Sequence, residues 1–195
     1  MPHTYSILNV PFSEKNCVVS EPPASLAKGW RLRDGLPVAS DWPKRAKLAM
    51  DGSLGGVAVK DAIYNQVGVL MVTDRLKKVL EESLSGKTEY LPFSLLNTKG
   101  KPVDGTFWVA NLNEVADCVD RERTEGTEAR TRPGTYAEIT KLVLDMDKIP
   151  KGPNLFRIAP SPEIFVARDD IRAALEKGGF SGIRFLELGA EIDIF

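Results

Sequence analysis

The chain has 195 residues, 43% hydrophobic and 27% charged, enough for one domain with its own core. Its 26 basic and 27 acidic residues leave a formal net charge of −1, which excludes a global field drawing in nucleic acid or an anionic membrane. The longest apolar run, Val67 to Val72 broken by Gly68, is too short to span a bilayer.

The first residues lack a basic start followed by a long apolar segment, so no signal peptide is expected. Tyr5 to Val10 reads as a strand, and Cys17 to Val19 as a second. Residues 1–56 form a loop-rich part. From Glu21 to Gly56, prolines and glycines argue for loops and short strands rather than helices. Basic residues there (Lys28, Arg31, Arg33, Lys44, Arg45, Lys47) outnumber acidic ones.

Residues 57–195 read as the α+β body. Two of its segments share a pattern. Val69 to Val72 meets Thr73-Asp74, a stripe follows at Leu76, Val79 and Leu80, Gly86 ends it, and Tyr90 to Phe93 resumes a strand. Ile164 to Val166 meets Arg168-Asp169-Asp170, the stripe is Ile171, Ala174 and Leu175, Gly178-Gly179 ends it, and Ile183 to Leu186 follows. The spacing predicts amphipathic helices. Thr73 is placed to cap the first through its hydroxyl. Each connection is about as long as a parallel crossover requires. Further strands are expected at Phe107 to Leu112, Ile139 to Leu144, Leu155 to Ile158 and in the alternating tail Glu191 to Phe195. Arg121 to Thr135 reads as a long structureless stretch. The sum is a single strand-rich mixed α+β domain with two to four short amphipathic helices packed on a sheet.

Chemistry-bearing groups are few. The lone histidine, His3, removes histidine triads and multi-histidine metal sites. Ser85-Gly86-Lys87-Thr88 imitates a phosphate loop, but Glu81 stands where the pattern needs glycine. Asp117 and Asp120, three apart, would share a helix face, and Asp145 and Asp147 would flank a strand end. Either pair suits a hard cation or acid–base work, giving a carboxylate-based hydrolase as one reading. The plainer reading is solvated charge or turn capping. The basic N-terminal segment gives another, a nucleic-acid-binding module. Cys118, beside carboxylates that disfavour a thiolate, reads as a small core residue. Two cysteines, Cys17 and Cys118, and no Asn-x-Ser/Thr site make a reduced, cytoplasmic setting the simplest reading, with a disulfide between the two as the alternative. No cofactor or metal site is expected.

Trp108-Val109-Ala110-Asn111 followed by Asp117-Cys118-Val119-Asp120-Arg121-Glu122 resembles the eleventh immunity-protein family of bacterial polymorphic toxin systems, formerly a domain of unknown function. Asp41-Trp42-Pro43, Val72 to Glu81, Tyr90-Leu91-Pro92, Ile164-Phe165-Val166, Leu175-Glu176-Lys177 and Gly182 to Phe185 match its elements in order. Arg168 departs from the Ser-type helix cap usual there. The resemblance implies a strand-rich α/β fold, no cofactor, no catalytic residue, and stoichiometric binding of a cognate protein toxin, with nucleases among the family's partners. The expected toxin-binding residues are Arg121, Glu122, Arg123, Glu125, Glu128, Arg130 and Arg132, whose alternating charges would steer association.

Overall fold

The computed structural model describes residues 3–192. Its elements run β1 (Tyr5–Asn9), β2 (Val18–Val19), α1 (Trp30–Arg33), a 3-10 turn (Ala39–Asp41), β3 (Lys47–Ala49), β4 (Ala62–Asn65), β5 (Leu70–Thr73) and α2 (Asp74–Ser83). Then come β6 (Thr88–Leu96), β7 (Phe107–Leu112), β8 (Val115–Ala116), β9 (Glu125–Glu128), β10 (Tyr136–Lys141) and a second 3-10 turn (Met146–Lys148). The last are β11 (Leu155–Ile158), β12 (Ser161–Arg168), α3 (Asp169–Gly178) and β13 (Arg184–Glu187). The strand-rich α+β expectation with short helices holds.

Six strands form one sheet in the order β2-β4-β5-β7-β6-β3, and five form another in the order β13-β1-β12-β11-β8. A separate ribbon pairs β9 with β10. The two repeated segments build the same unit. β5 and β6 both pair antiparallel with β7, so they are parallel to each other with β7 between them. β12 and β13 both pair antiparallel with β1 in the same way. Each helix is therefore a crossover that skips one strand slot, which a tight hairpin cannot do.

Period-two alternation explains the layering. In β5, β7, β1 and β12, alternate side chains enter different cores. Val72, Ala110, Leu8 and Ala167 join Leu76, Leu80, Ile171 and Leu175 in a core shared by both sheets and the helices α2 and α3. Met71 and Val109 point to the opposite face of the six-stranded sheet, where Leu32, Val38 and Leu48 from the loop-rich part cover them. Ile7 and Val166 meet Ile139, Leu142 and Leu144 on the outer face of the five-stranded sheet. Both sheets are thus covered on both faces, and the loop-rich part is the cover of one of them.

Several expectations need correction. The proline-rich part does form one helical turn, Trp30–Arg33, whose last carbonyls are held by a buried arginine described below. Thr73 precedes α2 but makes no capping bond; its hydroxyl donates to Asp61 instead, at 3.1 Å. Leu84, in an extended conformation, ends α2 before Gly86 is reached. The strand expected from Ile139 lies three residues earlier, because Tyr136 pairs with Glu128 across the ribbon. The strand β4 was missed: Ala62–Asn65 is a short run beside polar neighbours, and Asn65 folds it back by bonding Ile63 and Val69. In keeping with its departure from a Ser-type cap, and needing no correction, Arg168 makes no N-cap bond; its guanidinium reaches Asp170 at 2.7 Å. In the tail, Glu191 and Ile192 have no regular structure, and the rest of that expected strand lies outside the described residues.

Candidate functional site

The two aspartate pairs come together, but not on a helix. An antiparallel bridge between Val119 and Leu144 sets them side by side. Asp120 accepts from the Glu122 and Arg123 amides, both at 3.1 Å, and so ties the turn that follows. Asp145 caps the second 3-10 turn by accepting from the Asp147 amide, and Lys148 lies 2.9 Å from it. Asp117 faces solvent with Arg121 at 3.5 Å. Lys148, drawn above its ordinary pKa by Asp145 first and also by Asp117 and Asp120, balances the group. The plainer reading, turn capping, describes Asp120 and Asp145. Cys118 is fully buried beneath them, and burial pushes its thiol up to about 11. Cys17 is likewise buried and free, its thiol also pushed up by burial to about 11. Among the described residues, no group of three or more His, Cys, Asp or Glu is arranged to hold a metal ion.

The stretch expected to be structureless carries β9, and its charges divide into two sets. Arg121, Arg123, Glu125 and Arg132 are engaged internally, with Asp117, Asp120, Lys141 and Asp34 respectively. Arg132 is bidentate, at 3.2 and 3.0 Å, and fastens the loop after β9 to the end of α1. Glu122, Glu128 and Arg130 are exposed and have no ion pair among the described residues. The structure therefore gathers the seven residues on one ribbon and its flanking turns, but leaves only these three charges open. In the basic N-terminal segment, Arg31 and Arg33 pair with Asp41 and Glu163, while Lys28, Lys44, Arg45 and Lys47 are exposed.

Sequence reasoning missed the most heavily bonded side chain, Arg157. It is fully buried. Its guanidinium donates to the main-chain oxygens of Leu112 (2.9 Å), Gly68 (2.8 Å), Pro162 (2.6 Å), Leu32 (3.2 Å) and Arg33 (3.4 Å). It also meets the Asn111 side-chain oxygen at 3.4 Å and lies over the Phe165 ring. Among the described residues, no carboxylate is within hydrogen-bond or ion-pair distance of it. Burial lowers its pKa to about 10, so it stays cationic at neutral pH. Asn111, also fully buried, donates to Glu89 at 2.9 Å and links that carboxylate to the network. Glu89 in turn accepts from the amides of Val38 and Ala39. A lone arginine inside an apolar strand, Leu155-Phe156-Arg157-Ile158, was the available signal.

In front of Arg157 opens a groove of about 430 Å³. It is lined by Tyr64 of β4, by Gln66 and Gly68 of the β4–β5 turn, by Tyr136 and Glu138 of β10, and by Arg33 and Glu163. Gly68 stands in the turn at φ +78, a backbone that favours glycine, and its oxygen is one of those held by Arg157. Phe12, half exposed, packs edge-on against Tyr64 with centroids 5.4 Å apart.

The model of the immunity protein family (Imm11) matches residues 9–190, and the chain belongs to that family. This bears out the resemblance carried by Trp108 to Glu122. Within that stretch Trp108 donates to Asp74, and Asn111 joins the Arg157 network, so the diagnostic residues hold the structure together. No curated protein matches the chain. No described helix is long and apolar enough to cross a membrane.

Proposed function

We propose that the chain is an immunity protein that neutralises a cognate bacterial toxin by direct, stoichiometric binding. Membership of the immunity protein family over residues 9–190 is the observation that carries this reading. The toxin belongs to a polymorphic system, a nuclease being one fitting activity, and the complex forms in the cytoplasm. Inhibition needs no cofactor, no catalytic residue and no direct nucleic-acid contact.

The ribbon is the proposed contact surface. Glu122, Glu128 and Arg130 steer and select the toxin, while Arg121, Arg123, Glu125 and Arg132 hold the ribbon in shape. A stable complex would bury roughly 1,600 Å² in total, so the ribbon is one part of a wider interface. The test is co-expression with the toxin domain encoded beside this gene. Rescue of growth and co-purification are expected. Death of the cells with no complex formed would sink the proposal.

A further inference from the structure

We propose that the groove in front of Arg157 receives a basic segment of the toxin, with one Arg or Lys side chain of that segment lying along Tyr64 and Tyr136 and reaching Glu138. This rests on the toxin-binding reading and adds the chemistry of one contact.

The charge at the groove decides the sign. Arg33 and Glu163 answer each other at 3.4 Å, and Arg132 and Asp34 do so at 3.0 Å. Once those pairs are set aside, Glu138 remains. Its side chain has no ion pair or hydrogen bond among the described residues. Glu128, exposed and also without an ion pair among the described residues, lies on the same ribbon in register with Tyr136, outside the groove lining. Arg130 of the same ribbon offsets Glu128, so the sign rests on the described residues that line the groove, where Glu138 is the one charge outside the Arg33–Glu163 pair.

Arg157 offers no hydrogen bond to an anionic guest. Its charge lies behind the wall, but an arginine has only five N–H donors. Here they meet five main-chain oxygens and the Asn111 amide oxygen, so none is left for an anionic guest.

The aromatic lining favours the same guest. Tyr64 and Tyr136 both line the groove, and a guanidinium or ammonium over such a ring is attracted by its quadrupole. The Arg33–Glu163 contact is long, and Arg33 is 58% exposed, so a guest guanidinium can displace it and engage Glu163 as well as Glu138. The volume falls within the range of clefts that enclose a ligand group, roughly 300–1,000 Å³.

The test titrates the toxin domain encoded beside this gene with the wild-type chain and with Glu138→Gln, Glu138→Lys and Tyr64→Ala. A matched urea midpoint establishes that each variant is folded. Affinity is expected to fall about tenfold for Glu138→Gln and for Tyr64→Ala, and further for Glu138→Lys. Wild-type affinity in all three variants overturns the groove contact and leaves the immunity reading standing. Tighter binding by Glu138→Lys overturns it in favour of an acidic partner segment. No complex with the wild-type chain overturns both.

Discussion

The guanidinium of Arg157 donates to the main-chain oxygen of Gly68 at 2.8 Å, joining β11 of one sheet to the β4–β5 turn of the other. The same group holds the carbonyls that end α1. One buried cation thus fixes the turn, the helix end and the back of the groove.

Arg157→Met should therefore destabilise the fold by about 3 kcal/mol or more, because the methionine fills space but leaves buried carbonyls unpaired. Arg157→Lys should recover little of this, since an ammonium has three donors and no planar fork. Urea unfolding at neutral pH measures both.

Most of the fold is legible in the sequence because periodicity is local. The stripes Leu76, Val79, Leu80 and Ile171, Ala174, Leu175 located both helices, and their lengths anticipated the crossovers. The sequence is silent on what depends on distant partners. β9 is a run of exposed Glu-Gly-Thr-Glu that becomes a strand only because Tyr136–Lys141 lies beside it. Thr73 has a good capping side chain, but Asp61 competes for its hydroxyl. Of the candidate surface, the charged residues were visible; which of them are open was not, since Arg132 finds Asp34 far back in the chain.

Stability should fall in acid. Asp61 is held well below the usual carboxylate range by its hydrogen bond from Arg75, helped by Ser181 and Thr73. Asp170 is held down by Arg168 and Asn154. A depressed folded pKa contributes stability that is present above the unfolded value, about 3.9, and is lost as pH falls toward the folded one. Urea midpoints should be level from pH 7 to about pH 5 and decline below about pH 4. Asp61→Asn should start lower and decline less over that window.

Both thiols should be silent in the native protein. Burial raises Cys17 and Cys118 to about 11, so at pH 8 neither presents a thiolate at the surface. Ellman's reagent should report no fast reaction in buffer and two thiols per chain in urea, matching the two cysteines of the sequence.

The ribbon charges should separate by function. Reversing Glu122, Glu128 and Arg130 should slow association with the toxin, and the difference should shrink at high salt. Arg132→Ala should act mainly on stability, by roughly 1 kcal/mol or less, because its partner contact is only partly shielded. Stopped-flow association rates and urea midpoints on the same variants make the comparison.

Stoichiometry tests the central claim most directly. Toxin activity should be measured at fixed toxin concentration, well above the dissociation constant, as this chain is added. Direct neutralisation predicts a linear fall that reaches the baseline at one fixed equivalence point, with an intact complex recovered. Complete inactivation at a small fraction of an equivalent, with the chain released unchanged, would contradict it and identify an enzyme.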